Sequence, residues 1–338
     1  MSMLSEIHEQ PDVIRRVLTE NRTAAADAFS SMTATTHGLI TARGTSDNAG
    51  RYAQYVWGAR NNYTVGLTTP SLFSVYDDPP RLVDAMVVGI SQSGQSPDVV
   101  LVLEEAQRQN QSTVAITNDP ASPLAKAGDV LLELRAGEEK AVAATKTYVS
   151  ELANIALIST GGETFELEQV PGAVAAVLEL NPEIEAHASR FTDLERCAVI
   201  ARGYNHATAF EWALKLQELT YAVAQPFSTA DFLHGPIAVL EPGYPVLAIA
   251  SSGPTLDDVR DVIARSVDAG AQVMIITDDE STAGLSETSI MIPTGGIPEW
   301  LSPIPFVAAC QLFAYHLTLA KGLDVETPRG LKKVTRTL

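Results

Sequence analysis

A chain of 338 residues that is 46% hydrophobic and 19% charged can bury a large core, and at this length it is expected to divide into two domains. Its 41 acidic against 23 basic residues leave a formal charge of -18, which disfavours adhesion to nucleic acid or to an anionic membrane, so a phosphorylated ligand must be held by local groups. Cys197 and Cys310 have no metal-ligand or redox spacing, and residues 1–10, with Glu6, His8 and Glu9, are too polar for a signal peptide; a cytoplasmic protein without metal is expected.

Residues 7–31 carry apolar positions at helical spacing, among them Val13, Val17 and Ala24, with Pro11 placed where a helix can begin; this predicts an N-terminal helical lead-in. Gly38 to Ser46 reads as an apolar strand running into a Gly/Thr/Ser turn, followed by a helix over 48–57. The apolar run Ala85 to Val88 leads into Gly89-Ile90-Ser91-Gln92-Ser93-Gly94-Gln95-Ser96-Pro97-Asp98 and then a helix over 99–107. A strand, a hydroxyl-rich turn and a helix in that order offer one anion free backbone N–H groups, the positive end of a helix and several hydroxyls. The same serines would equally serve to cap the next helix. Residues 112–119 and 130–134 read as further strands, and strands alternating with helices imply a parallel sheet.

The second half repeats the first. Ala42-Arg43-Gly44 recurs as Ala201-Arg202-Gly203, Ser93-Gly94 as Ser252-Gly253, and Ile116-Thr117-Asn118-Asp119 as Ile276-Thr277-Asp278-Asp279, at offsets of 159, 159 and 160. Three echoes in one order at nearly constant offset indicate duplication of an α/β domain. The expected fold is therefore α/β, with two doubly wound parallel-sheet domains over 1–165 and 190–320 and a C-terminal tail over 321–338. Ligand is expected beyond the carboxyl ends of the strands. Ala250-Ser251-Ser252-Gly253-Pro254 lacks the Ser-Gln-Ser-Gly-x-Ser array, which leaves phosphate binding to the first half. Residues 141–148 are rich in small side chains, suited to close helix packing or to a backbone approach to ligand, and lead into a helix through Leu157. The apolar stretch 304–319, interrupted by Pro305, Gln311 and His316, reads as a buried helix.

Residues 207–222 form a helical pattern with Glu211, Lys215 and Glu218 on related turns. Charges so spaced commonly lie on a solvated face. Here Ala213, Leu214, Leu216, Leu219 and Tyr221 surround them, and a carboxylate in a partly apolar site can act as a base near neutral pH. His234 stands at a sharp turn in Phe232-Leu233-His234-Gly235-Pro236, where it is either structural or chemical. Lys332 to Arg336 form a basic tail, which on its own reads as solvated.

Taken together, Ile7-His8-Glu9-Gln10-Pro11, Ala42 to Ser46, Ser91 to Gly94, Ala144-Thr145-Lys146 and Ala201 to Asn205 resemble the isomerase half of the glucosamine-fructose-6-phosphate aminotransferases. So do Lys215 to Glu218, Leu233 to Pro236, Pro303-Ile304-Pro305 and Pro328-Arg329. The resemblance covers nearly the whole chain in order, and it identifies the halves as two sugar isomerase (SIS) domains. It implies that Ser46, Ser91, Gln92, Ser93 and Ser96 hold a sugar phosphate, Ser96 standing where threonine is usual, and that Val142 gives the sugar a backbone contact. It further implies that Glu218, assisted by Lys215, moves a proton between C2 and C1 of the open-chain sugar. His234 would serve ring opening in the neighbouring subunit of a homodimer, and Lys333 would close over the sugar for ring opening or an imine.

The aminotransferases begin with a glutaminase domain, whereas this sequence starts at the isomerase-like half. The reaction expected is accordingly that of a glucosamine-6-phosphate deaminase of the SIS type, which needs no cofactor and yields fructose 6-phosphate and ammonia. A deglycase acting on a fructosamine 6-phosphate would use the same loop and carboxylate. A non-catalytic sugar-phosphate sensor would require neither Glu218 nor Lys333, and would be expected to carry an output domain.

Overall fold

The computed structural model describes residues 2–333. The chain begins with α1 (Met3–His8), α2 (Gln10–Glu20) and α3 (Arg22–Thr33), then runs through β1 (His37–Thr41), α4 (Thr45–Asn61), β2 (Thr64–Leu67), α5 (Ser71–Ser74), β3 (Ala85–Ile90), α6 (Pro97–Arg108), β4 (Ser112–Thr117), α7 (Pro123–Lys126), β5 (Val130–Glu133) and α8 (Lys146–Ser159). After α9 (Val170–Leu178) and α10 (Asn181–Ala188) come β6 (Arg196–Ala201), α11 (His206–Thr220), β7 (Val223–Ser228), α12 (Thr229–Leu233), β8 (Pro245–Ala250), α13 (Leu256–Asp268), β9 (Gln272–Thr277), α14 (Glu280–Ala283), β10 (Ser289–Met291) and α15 (Pro303–Ala320).

Two compact units result. One holds residues 9–140 and 146–168 with Lys332 and Lys333; the other holds 2–8, 141–145 and 169–331. Each contains a five-stranded parallel sheet, ordered β2-β1-β3-β4-β5 in the first and β7-β6-β8-β9-β10 in the second. The orders are the same once β6 is set against β1, so the duplication read from the three sequence echoes is present in the topology. The reversal of strand order between β1 and β3, and between β6 and β8, opens a crevice at the carboxyl ends of those strands.

Burial explains the strand sequences. β3 is buried at every position, as expected of a central parallel strand covered on both faces, and each fully buried Val or Ile contributes about 1.5–3 kcal/mol. Val87, Leu103, Ala115 and Leu124 meet on one face of the first sheet; Ile200, Val246, Ile263 and Ile275 do the same in the second. β2 and β7 are edge strands, short or interrupted by Pro226, and for that reason lack the long apolar run that marks the central strands. In the first unit α8 is buried on all sides against α2, α3 and α4, with the Trp57 indole N–H donating to the Ile155 carbonyl at 3.1 Å. Its counterpart α15 packs against α9, α10 and α11. Residues 299–320 contain an 18-residue window apolar enough to cross a membrane, yet 83% of that window is buried by the chain itself, in keeping with the buried helix read from the sequence.

The lead-in is helical but broken. Asn21 interrupts it because its side chain turns inward, donating to the Glu133 carbonyl at 2.6 Å and to Asn154 Oδ1 at 2.7 Å. Residues 141–145 are irregular, and the predicted helix after them begins at Lys146.

Candidate functional site

In the first unit the turn after β3 is built by its own hydrogen bonds. Ser91 N–H donates to Ile116 O at 3.1 Å, Asn118 N–H donates to Gln92 O at 3.1 Å, and Gly94 N–H reaches both the Ser91 carbonyl and the Ser91 hydroxyl, at 3.1 and 3.2 Å. Gly94 sits at φ +60°, and a Cβ there would lie 2.2 Å from Ser122 Oγ, so only glycine lets the loop pack this closely. Ser96 has extended backbone at the start of α6 but its side chain does not cap the helix, and Pro97 occupies the first turn, where no N–H is needed. Ser91 is buried, and Gln92, Ser93 and Ser96 are partly exposed. Hydroxyls and an amide thus gather at a helix N-terminus, a chemistry suited to an oxyanion.

An ion pair supports this turn. Arg43, leaving β1, donates to Asp98 at 2.6 Å in the first turn of α6, and the Asp98 carboxylate is fully buried. The second unit repeats the pair as Arg202 and Asp258 at 3.0 Å. The sequence echoes do not single out this duplicated brace, although Arg43 and Arg202 lie inside the first echo and Asp98 and Asp258 stand at the offset of 160 seen in the third.

Buried acids define the surroundings. Ser46, at the N-terminus of α4, donates its hydroxyl proton to Glu151 Oε1 at 2.7 Å, with Glu151 buried on α8. Glu139, also buried, accepts from the Thr147 N–H at 3.1 Å, the Thr147 hydroxyl at 2.8 Å and Lys333 Nζ at 2.5 Å. That contact holds Lys333, while the rest of the expected tail, residues 334–338, lies outside the described residues. Lys146, 1% exposed, pairs with Glu9 at 2.6 Å. Neither Glu139 nor Glu151 is identified as a partner by sequence pattern, because only tertiary packing shows which residues the two carboxylates meet.

In the second unit α11 carries a linked set of charges. Lys215 lies 3.4 Å from Glu211 Oε1, with both side chains buried, and forms a closer bond to Glu218, whose side chain is 23% exposed. Burial by itself would lower the Lys215 pKa, but the Glu211 and Glu218 carboxylates outweigh it and hold the ammonium above its ordinary value. Glu218 therefore faces a permanently charged partner. The helix ends at Tyr221 in the left-handed region, and Arg329 stacks on the Tyr221 ring at 4.4 Å while its N–H donates to the Tyr221 hydroxyl at 2.8 Å. Val142 is half-buried in a segment anchored by Glu6, which accepts the neighbouring Ala141 N–H at 3.1 Å. His234 is exposed at the end of α12, next to Gly235 at φ +136°.

The second copy of the anion loop is closed by its own acids. Asp278 accepts the Ser252 N–H at 2.6 Å, and a Cβ on Gly253 would lie 2.4 Å from the Glu299 carboxyl carbon, so the Glu299 carboxyl fills the space above that glycine. Burial first, and Asp278 second, raise the Glu299 pKa. In the first copy the neutral Asn118 stands in place of Asp278. A second anion would meet negative charge there. Among the described residues no three His, Cys, Asp or Glu side chains gather as a metal ligand set.

Two sheets of one strand order, each with a Gly-containing turn after its first and third strands, define a protein of two repeated SIS-type domains. The SIS domain family matches residues 31–161 and 191–321, and the chain belongs to that family. It is homologous to the isomerase domain of glutamine-fructose-6-phosphate aminotransferase (isomerizing): it is 33% identical to the Halobacterium salinarum enzyme over 98% of the chain and 58% of that protein. The chain thus spans less than two thirds of the length of such relatives. The C-terminal domain of glucosamine-fructose-6-phosphate aminotransferase from Francisella tularensis superposes with a TM-score of 0.86 at 26% identity, covering 96% of this chain and 98% of that one. Glucosamine-6-phosphate deaminase from Thermotoga maritima gives a TM-score of 0.76 at 18% identity over the full length of both chains, a likeness of fold.

Proposed function

We propose that the chain is a phosphosugar aldose-ketose isomerase that works as a glucosamine-6-phosphate deaminase in the cytoplasm. The observation that carries this reading is the Glu211, Lys215 and Glu218 set: a carboxylate within reach of solvent, backed by a buried ammonium, is what a proton transfer between adjacent carbons requires. Ser91, Gln92, Ser93 and Ser96 would bind the sugar phosphate, with Ser46 and the Val142 backbone as further ligand contacts. Glu218 would remove the proton from C2 of open-chain glucosamine 6-phosphate, giving an enolamine, and return a proton to C1. The resulting C2 imine would be hydrolysed by water, so that glucosamine 6-phosphate and water become fructose 6-phosphate and ammonia. Lys333 would assist ring opening or form an imine with the keto sugar.

Two experiments test the assignments. Replacing both Ser91 and Ser93 by alanine is expected to weaken binding of fructose 6-phosphate by about 1–3 kcal/mol, the scale of hydrogen bonds to a charged group, and calorimetry on the folded variant measures it. Unchanged affinity would remove the loop from the site. His234, exposed and beside a turn, is assigned to ring opening in the partner of a homodimer. Mixing inactive Glu218→Gln and His234→Ala chains should then restore activity, because one site of each heterodimer receives both native residues. Verified subunit exchange without recovery would return His234 to its own chain's site.

A further inference from the structure

The proton on Ser46 is already committed. A serine hydroxyl has one hydrogen to donate and two lone pairs to accept with. Ser46 spends its hydrogen on Glu151 at 2.7 Å, inside the protein. The dianion of a sugar phosphate monoester carries acceptor oxygens and no hydrogen on its phosphate group, so Ser46 Oγ and a phosphate oxygen would confront each other lone pair to lone pair. The position of Ser46 is nevertheless that of a ligand-facing group. It follows β1 in the first turn of α4, and β1 lies beside β3 with Thr41 opposite Gly89, so the turn carrying Ser46 leaves the sheet next to the turn carrying Ser91 and Ser93.

We infer that Glu151 is a positioning residue that makes Ser46 an acceptor for a sugar hydroxyl or amino group, not a donor to the phosphate. This rests on the reading of residues 91–96 as the phosphate loop. Ser46 then discriminates a polyol phosphate from inorganic phosphate, which fills the loop at residues 91–96 but brings no polyol hydroxyl to Ser46. A protonated Glu151 donating to Ser46 would reverse the bond, free the serine hydrogen for phosphate and predict the opposite behaviour.

The test is calorimetry on the full chain with two probes, inorganic phosphate and glucitol 6-phosphate, in the wild type, Ser46→Ala and the Ser91→Ala/Ser93→Ala double variant. Ser46→Ala is expected to leave the Kd for inorganic phosphate within about twofold and to raise that for glucitol 6-phosphate roughly 3–10-fold, the effect of one neutral hydrogen bond. The double variant should weaken both probes. Because Ser46→Ala leaves a buried carboxylate without this partner, Ser46→Ala/Glu151→Leu, which removes both polar groups, provides the same comparison if the single variant does not fold. Weaker binding of both probes on loss of Ser46, or of neither, overturns the inference alone. Unchanged binding of both probes in the double variant overturns the phosphate loop, and the inference with it.

Discussion

Exchange of Glu218 for glutamine is expected to lower ammonia release from glucosamine 6-phosphate by about 10²–10⁴-fold, the range for removal of a positioned general base. An amide occupies nearly the same space and can still accept from the Lys215 ammonium, so binding of fructose 6-phosphate should change little and the loss should fall on turnover. Steady-state kinetics with calorimetry separates the two. Turnover within tenfold of wild type would mean that another group moves the proton.

The largest effect on stability is expected from Lys215→Met. Lys215 and Glu211 are 1% and 0% exposed, so removal of the ammonium takes the neighbouring positive charge away from a Glu211 carboxylate that stays in the interior. Breaking a buried pair in this way costs about 3–5 kcal/mol. Urea unfolding of the wild type and the variant measures it, and Glu211→Leu/Lys215→Met should regain much of the loss because the fully buried carboxylate is removed with the ammonium and only the partly exposed Glu218 is left without its partner. A loss under about 1 kcal/mol would show that water already reaches this pair.

The contrast between Lys215 and Ser46 shows what the amino-acid pattern can and cannot reveal. Glu211, Lys215 and Glu218 are linked by helical spacing alone, and their apolar neighbours already announce that the face is not free in water. The duplication is legible for a similar reason: Ala-Arg-Gly, Ser-Gly and Ile-Thr-x-Asp end strands, where backbone demands preserve residue type. β2 and β7 are harder to see, since edge strands need little apolar surface and β7 even contains Pro226. The bond between Ser46 and Glu151 joins residues 105 positions apart, and no periodicity connects them. Glu139 is equally silent in the charged triplet Glu138-Glu139-Lys140, whose middle residue is buried against Thr147 and Lys333. Charges inside an otherwise buried helix are a usable signal, and Lys146 and Glu151 in α8 are such a case.

The second anion loop shows how a duplicated site diverges in physical terms. Loss of the Ser-Gln-Ser-Gly-x-Ser array is visible in sequence, but the replacement of Asn118 by Asp278 and the approach of Glu299 to Gly253 are what set negative charge into it. The same fold thus keeps hydroxyls at one helix N-terminus and carboxylates at the other.

The proposed deaminase reaction is tested most directly by incubating the full chain with glucosamine 6-phosphate in deuterated water and following the sugar by NMR alongside an ammonia assay. The account predicts loss of the C2 proton, appearance of fructose 6-phosphate carrying solvent deuterium at C1, and one ammonia per sugar converted. Glucosamine 6-phosphate that keeps its C2 proton and releases no ammonia, while a fructosamine 6-phosphate under the same conditions liberates its amino acid, would contradict it.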